Sequence, residues 1–247
     1  MPTFILASYI ACYEKGENGI RYPIHIPNTN KVLDNICNNL KGCTTLVFVA
    51  NEPDNFDEHE EKAKCIFESF IMSGVPFENY VVLNNKNKDM AKEIIASADL
   101  VYLSGGQIVS QINFFNEIGL GELLENFGGV VVGVSAGAMN LCNKVFNFPE
   151  EPRFINHPRI VEGLGFYNQY IIPHFDCGNV SYKVPCTEID PINDYILPFS
   201  EQTTLLGLDN DSYIILHDGK AEFVGRYCTI KNRQVVVYNN NEKSVEM

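Results

Sequence analysis

Short apolar runs alternate with amphipathic stretches through the first half of the chain. Each apolar run is continuous, as expected of a strand that is buried on both faces of a parallel sheet. These runs predict strands at residues 4–8, 44–50, 80–83, 100–103 and 130–134. Apolar residues at helical spacing predict helices at residues 31–40, 58–72, 90–97, 107–118 and 122–127, and a further helix from Ala136.

The second half of the chain is less regular and predicts antiparallel strands. Apolar runs predict strands at residues 171–175 and 205–208. Asp218 and Gly219 form a turn signal between residues 213–217 and 221–225, and residues 231–233 separate 229–230 from 234–238, so two hairpins are predicted. The stretch 11–30 is rich in Gly, Pro and Asn and predicts a long loop.

The alternation of strands and helices predicts an α/β fold with three layers. A mostly parallel sheet would carry helices on both faces and end in the antiparallel C-terminal hairpins. The sequence contains no linker-like tract and no repeat, so the simplest prediction is a single domain over residues 1–247.

The charge balance excludes one class of partner, nucleic acid, and the length of the apolar runs excludes another, the membrane. The chain has 18 Lys+Arg against 31 Asp+Glu, a formal net charge of −13, whereas nucleic-acid binding needs clustered basic residues. No apolar run approaches the roughly eighteen residues of a membrane-spanning helix. The apolar start of the chain lacks preceding basic residues, so it is predicted to be a first strand and not a signal peptide.

The eight cysteines are scattered and include no C-x-x-C pair. Secreted disulfide-stabilised folds have denser cysteines, so we expect reduced, mostly buried thiols and a cytoplasmic location. No cluster of His, Cys and Asp has the spacing of metal ligands, and no metal or organic cofactor is expected.

Gly133, Ser135 and Gly137 form a G-x-S-x-G sequence between the strand predicted at 130–134 and the helix predicted from Ala136. This strand–turn–helix context is that of a nucleophile elbow, in which a strained turn exposes the serine hydroxyl at the carboxyl end of a sheet. The glycines lack side chains that would clash in so tight a turn. The alternative is a tight turn in which small residues serve packing alone.

A serine nucleophile needs a base, and the chain offers five histidines: His25, His59, His157, His174 and His217. His174 is the best candidate because it ends an apolar run at the carboxyl end of a predicted strand, where catalytic groups gather in α/β folds. His157 is the second choice. His59 lies in a charged segment and is predicted to belong to a solvated helix start.

Two sets of acidic residues could orient this base. Glu150 and Glu151 lie between the serine and the histidine, whereas Asp209 and Asp211 follow the strand predicted at 205–208. The sequence leaves this choice open.

An oxyanion in the reaction would need backbone N–H donors. Ala136 follows the serine and is predicted to supply one donor. The strand at 100–103 runs into Ser104, Gly105, Gly106 and Gln107, where two glycines let the backbone approach a ligand, and this turn is predicted to supply the other. The alternative is a plain strand-to-helix turn.

Four segments occur in an order that resembles the dipeptidase E and cyanophycinase family of serine peptidases, namely residues 102–107, 133–140, 173–175 and 207–213. The resemblance spans most of the chain and implies the class I glutamine amidotransferase-like fold. It implies Ser135 as nucleophile, His174 as base, Gly106 and Ala136 as oxyanion donors, and Gln107 as a residue lining the site. Family members cleave aspartyl dipeptides or the aspartate–arginine polymer cyanophycin.

Two positions depart from this family pattern. Asn210 stands where dipeptidase E has a Glu, so the triad could be completed by Asn210, by a neighbouring Asp or by Glu150; an Asn can orient a His, as in papain-like enzymes. The family's carboxylate-reading Arg has no clear counterpart. Arg153, Arg159 and, as another option, Lys183 are the candidates for binding the substrate beside the Gly-Gly turn.

The leading hypothesis is a serine hydrolase, a peptidase E-like dipeptidase or peptidase that cleaves a small peptide or amide bond. A catalytically silent ligand-binding or regulatory module on the same scaffold is the alternative. An α/β-hydrolase esterase is disfavoured because the chain ends in hairpins, and a glutamine amidotransferase would need Cys where Ser135 stands. The expected partner is a small peptide, and no nucleic acid or membrane is expected. The sequence leaves open whether the chain forms a homodimer.

Overall fold

The computed structural model describes residues 2–17, 19–150, 156, 159–183 and 189–240. A ten-stranded sheet forms the centre of this part of the chain, and three two-stranded sheets accompany it. Among the described residues, no helix has the length and apolar character needed to cross a membrane.

Five parallel strands make up one side of the central sheet. Their spatial order is β1 (Thr3–Ala7), β7 (Val130–Val134), β6 (Leu100–Leu103), β4 (Thr45–Val49) and β5 (Asn79–Leu83). Side chains alternate between the faces of a strand, so Phe48 enters the core on one face and Val47 and Val49 enter the core on the other. This two-sided burial explains why the strands are continuously apolar in sequence.

Helices cover both faces of the sheet. One core contains side chains of α1 (Val32–Asn39) and α2 (Phe56–Met72). The opposite core contains side chains of α3 (Ala91–Ala96), α4 (Ile108–Glu117), α5 (Leu120–Glu125) and α6 (Ala136–Asn140). Short 3₁₀ turns at Thr29–Lys31 and Lys88–Met90 precede α1 and α3.

Beyond β1 the sheet continues with antiparallel pairing. The strand β14 (Tyr213–His217) pairs with β1, and the long β15 (Lys220–Lys231) pairs first with β14 and then with β13 (Leu205–Leu208). The second half of β15 also pairs with β16 (Gln234–Asn240). The strand β10 (Tyr170–Ile172) lies parallel to β13 and ends this side of the sheet.

Several elements differ from the sequence prediction. The loop predicted at 11–30 contains a hairpin of β2 (Tyr13–Lys15) and β3 (Arg21–Pro23). The hairpin of β8 (Lys144–Phe146) and β9 (Ile160–Glu162), and the π-helix Ile192–Ile196 leading into α7 (Leu197–Phe199), have no predicted counterpart. The strand predicted at 171–175 stops after Ile172, and β11 (Phe175–Asp176) pairs instead with β12 (Ser181–Tyr182). The break falls at His174, whose backbone is left-handed with φ 57°.

The predicted α/β class is confirmed, with a mostly parallel sheet, helices on both faces and antiparallel C-terminal strands. The single domain over residues 1–247 stays a prediction. The described cysteines are free thiols, and those that are buried are Cys12, Cys65, Cys142, Cys177 and Cys228. Cys186 lies outside the described residues.

Phe115 tests the core between α4 and the sheet, because its side chain has no solvent exposure. Phe115→Ala should lower the free energy of unfolding by about 3–5 kcal/mol, since the substitution removes buried apolar area and leaves a cavity. The measurement is urea denaturation followed by circular dichroism. Val236 on β16 is 50% exposed, and Val236→Ala should cost about 1 kcal/mol or less. Equal losses in the two variants would contradict the placement of Phe115.

Candidate active site

Ser135 lies in a sharp turn between β7 and α6. Its backbone has φ 53° and ψ −117°, a conformation that residues with side chains rarely adopt. The surrounding glycines make the turn possible. A Cβ on Gly137 would overlap the carbonyl oxygen of Leu103 in β6, and one on Gly133 would lie 2.8 Å from the carbonyl oxygen of Gly137. The geometry is therefore that of a nucleophile elbow, as the G-x-S-x-G sequence predicts.

His174 contacts the serine from the end of β10. Its Nε2 lies 2.9 Å from the Oγ of Ser135, and its Nδ1 lies 2.9 Å from the Oδ1 of Asn210. An amide oxygen only accepts hydrogen bonds, so the proton of a neutral His174 belongs on Nδ1. Nε2 is then unprotonated and free to accept the proton of the Ser135 hydroxyl.

Ser8 holds the histidine segment against the sheet, a role that no sequence motif predicted. The residue is fully buried directly after β1, and its Oγ accepts a hydrogen bond from the backbone N–H of His174 (2.8 Å). The same hydroxyl donates to the carbonyl oxygen of Leu208 (3.1 Å), and the Ser8 N–H donates to the carbonyl oxygen of Ser212 (3.0 Å). One small side chain thus joins β1 to the segments that carry His174 and Asn210.

The two aspartates predicted as orienting acids do not stand behind His174. Asp209 is buried and accepts hydrogen bonds from Arg226, from Lys183 (3.1 Å) and from the backbone N–H of Cys177 (3.1 Å). Asp211 is exposed. In the described part of the chain, neither aspartate is hydrogen-bonded to His174.

Glu150 lies in the same cavity as the serine and the histidine. Its carboxylate accepts a hydrogen bond from the hydroxyl of Tyr182, and its negative charge acts on His174 through space. Glu151 lies outside the described residues. The structure therefore places the amide of Asn210 behind the histidine and a carboxylate, that of Glu150, in the cavity.

Burial sets the protonation of the histidine. Loss of solvent contact lowers the pKa of His174 below its ordinary value, and the hydrogen bond to Asn210 and the charge of Glu150 offset part of this effect. Lys183 lowers the pKa further through space. The neutral form, which a general base needs, is therefore favoured at neutral pH.

The Gly-Gly turn after β6 lies against the serine. A Cβ on Gly105 would lie 3.1 Å from the Cβ of Ser135, which shows how closely the two backbones approach. Gly106 has φ 156° and is exposed, and its N–H donates no hydrogen bond within the described part of the chain. Ala136 begins α6 directly after the serine, where a helical N–H has no partner in its own helix. Both predicted donors are thus next to the nucleophile.

A cavity of about 400 Å³ opens at this edge of the sheet, and its lining includes Lys62, Gly105, Gly106, Gln107, Ser135, Ala136, Glu150 and His174. Of the predicted cations, the two that the structure describes, Arg159 and Lys183, are not part of this lining. Arg159 stacks over the ring of Tyr195 at 4.8 Å, and Lys183 pairs with Asp209 at 3.1 Å. Arg153 and the second-choice base His157 lie outside the described residues. Among the described residues, no group of three or more His, Cys, Asp or Glu could hold a metal ion.

Helix α2 contributes residues that the sequence analysis missed or misplaced. His59 is 2% exposed, which corrects the prediction of a solvated helix start, and its Nε2 lies 2.8 Å from the Oδ1 of Asn51. The spacing of His59 from Ala63, Ile66 and Phe70 already marked it as part of the buried face. Lys62 lines the cavity, and no motif pointed to it.

Gly137 provides a test of the elbow. Gly137→Ala should lower the free energy of unfolding by about 3 kcal/mol or more, the upper end of the usual cost of overpacking. The reason is that the new methyl group would overlap backbone atoms of Leu103. Chemical denaturation measures the effect. Gly121 in α5 is the matched control, since its added Cβ would meet only Leu164 at 3.8 Å; Gly121→Ala should stabilise the helix by about 0.5–1 kcal/mol. A neutral Gly137→Ala would argue against the close packing of β6 and α6.

Comparison with solved structures agrees with the fold. A peptidase from an acI-B1 Actinobacterium has a crystal structure that matches with TM-score 0.65 and 20% identity, covering 98% of this chain and 96% of that one. A Listeria monocytogenes EGD-e protein assigned to peptidase E matches with TM-score 0.57 and 14% identity, covering 90% and 98%. At these identities the two structures support the fold alone.

The sequence comparisons give the family. A search of curated proteins returns no match. The model of peptidase family S51 matches residues 25–224, which is most of the chain, and this confirms the resemblance that the sequence motifs indicated. The chain belongs to peptidase family S51.

Proposed function

We propose that the protein is a serine peptidase that hydrolyses small peptides, with Ser135 as nucleophile and His174 as general base. The observation that carries this proposal is the 2.9 Å separation of Ser135 Oγ and His174 Nε2 at a strained elbow. Hydrogen-bond contact between a nucleophile and a base, with a third group orienting the base, is the arrangement that activates a serine. Asn210 supplies the orienting contact.

The reaction would proceed through an acyl-enzyme. Nε2 of His174 takes the hydroxyl proton as Oγ of Ser135 attacks the carbonyl carbon, and the carbonyl oxygen becomes an oxyanion. The backbone N–H groups of Gly106 and Ala136 would bind that oxyanion, each contributing about 3 kcal/mol of transition-state stabilisation. His174 then returns the proton to the leaving amine, and water attacks the ester by the same steps.

Asn210 orients His174 without placing a negative charge beside it. Its Oδ1 accepts a hydrogen bond from the Nδ1–H of His174 and fixes the ring tautomer, as a carboxylate would. It carries no charge, so it stabilises the imidazolium of the transition state less than a carboxylate at the same distance. The negative charge of Glu150 supplies part of that stabilisation from the cavity side.

The size and charge of the cavity favour a short peptide. A volume of about 400 Å³ lies in the range of small-molecule sites and is suited to a few residues of substrate. The carboxylate of Glu150 is complementary to an ammonium group, such as the free amino terminus of a dipeptide. These features support dipeptidase activity; the cytoplasmic location stays a prediction from the cysteine pattern.

Substitution of the serine tests the nucleophile. Ser135→Ala should abolish labelling by a fluorophosphonate probe and hydrolysis of a dipeptide library, because no hydroxyl remains to attack. Chemical denaturation should show a free energy of unfolding close to that of the unmodified protein. Ser97→Ala is a control for loss of a serine hydroxyl outside the cavity, since this hydroxyl donates to the carbonyl oxygen of Ile94, and the variant should still be labelled. Undiminished labelling of Ser135→Ala would show that another residue reacts, and a lack of labelling of the unmodified protein would favour a silent binding module.

Asn210 governs the acid limb of the pH profile. The proposed base must be neutral, and its pKa is lowered, so kcat/KM should fall only as the pH drops below the ordinary histidine value of about 6.5. Asn210→Asp places a negative charge beside Nδ1, favours the imidazolium and should move this limb up by about one pH unit or more.

Asn210→Ala should shift the acid limb of the pH profile in the opposite direction. It removes a hydrogen bond that raises the pKa of His174, so its limb should move to lower pH while kcat falls because the ring is no longer oriented. The readout is kcat/KM against pH for the three proteins. Identical limbs in all of them would exclude His174 as the titrating base.

A further inference from the structure

Lys62 reaches the Gly-Gly turn from helix α2. Its Nζ lies 3.1 Å from the carbonyl oxygen of Gly105 and 3.2 Å from the hydroxyl oxygen of Ser104. The Ser104 hydroxyl lies 3.2 Å from the same carbonyl oxygen, so ammonium, hydroxyl and carbonyl form a closed triangle. Within the described part of the chain, no carboxylate lies within ion-pair distance of the ammonium, and its contacts are these turn oxygens.

The carbonyl that Lys62 holds belongs to the same peptide group as the Gly106 N–H. The C=O of Gly105 and the N–H of Gly106 are parts of one planar trans peptide, so they point in opposite directions. A contact that fixes the direction of the carbonyl therefore fixes the direction of the N–H. Both flanking residues are glycines, which allow this peptide to rotate more freely than other residues would.

The neighbouring peptide of the same turn is held from the other side. Gln111 Nε2 in α4 donates to the carbonyl oxygen of Ser104 at 2.8 Å, and Asn140 Nδ2 in α6 donates to Gln111 Oε1 at 2.8 Å. Both residues are fully buried. This network fixes the peptide between Ser104 and Gly105. Among the described residues, the hydrogen bonds to the next peptide, which carries the Gly106 N–H, come from Lys62 and the Ser104 hydroxyl, and the Asn51 side chain packs against Gly106.

We propose that Lys62 is a positioning residue, which orients the Gly105–Gly106 peptide so that the Gly106 N–H points to the oxyanion. This inference rests on the proposed function. Lys62 acts through the backbone and does not need to touch the substrate. Its charge also polarises the peptide, because a cation on the carbonyl oxygen makes the N–H of the same group a stronger donor.

The surroundings of Lys62 agree with a role that uses its hydrogen bonds. Burial lowers the pKa of Lys62 to about 8, and the positive charges of Arg21 and Lys15 act in the same direction. Glu58 and Cys12 raise the pKa through space. Keeping a buried ammonium group charged costs free energy unless its N–H groups donate hydrogen bonds. In Lys62 these hydrogen bonds are accepted by the oxygens of the turn.

The test compares kcat and KM for Lys62→Met on two dipeptides, one with an acidic and one with a neutral first residue. Positioning of the oxyanion donor predicts that kcat falls about tenfold to hundredfold on both substrates, a part of the effect of deleting a whole donor, with KM nearly unchanged. Lys64→Met is the matched control, since Lys64 lies on the same helix with its side chain 61% exposed. It should leave both constants unchanged.

Ser104→Ala is the second variant, and it keeps the question answerable if Lys62→Met does not fold. It removes the hydroxyl that bridges Lys62 and the carbonyl, so kcat should fall severalfold on both substrates with KM unchanged. An unchanged kcat in this variant would overturn the proposal, and so would an unchanged kcat in a folded Lys62→Met. A rise in KM confined to the acidic dipeptide would also overturn it, because Lys62 would then bind the substrate anion.

Ser135→Ala, assayed in parallel, separates the two levels of inference. If Ser135→Ala is inactive and Lys62→Met retains full kcat, the serine peptidase stands and the role of Lys62 is wrong. If Ser135→Ala retains activity, the proposed function is wrong, and the role of Lys62 falls with it.

Discussion

The left-handed turn at Ser135 is the constraint on which the site depends. A residue with φ 53° and ψ −117° carries strain of about 1–3 kcal/mol, which the surrounding structure must hold in place. The Ser135 N–H donates to the carbonyl oxygen of Ala7 in β1 (2.9 Å), and Gly137 packs against Leu103 in β6. The two strands that flank β7 therefore lock the turn from both sides, which keeps the hydroxyl at the carboxyl edge of the sheet.

That edge collects the other groups because several strands end there. The segment after β1 provides Ser8, the segment after β6 provides the Gly-Gly turn, and the segments after β10 and β13 provide His174 and Asn210. His174 is itself left-handed, with φ 57°, so nucleophile and base both lie at positions where the backbone changes direction sharply. The scaffold is apolar, while the groups with chemistry lie in the turns that leave it.

Sequence patterns predicted the parts of this site that depend on local order. Apolar runs located the strands, and a glycine-flanked serine between strand and helix located the elbow. The orienting group could not be chosen in this way, because Asp209, Asn210 and Asp211 are adjacent in one loop and differ only in the direction of their side chains. Ser8 and Lys62 act through contacts between elements distant in sequence, and neither lies in a motif.

The distribution of charge explains how an amide can stand behind the base. Asp209, the carboxylate next to Asn210, is engaged by Arg226 and Lys183 and by a backbone N–H, so its charge is balanced where it lies. Glu150 places the carboxylate that acts on His174 on the cavity side. The net charge of the protein contributes little to substrate selectivity. A net charge of −13 repels anionic ligands at long range and does not select among neutral ones. Selectivity for a substrate must therefore arise inside the cavity, from the few polar groups that face it.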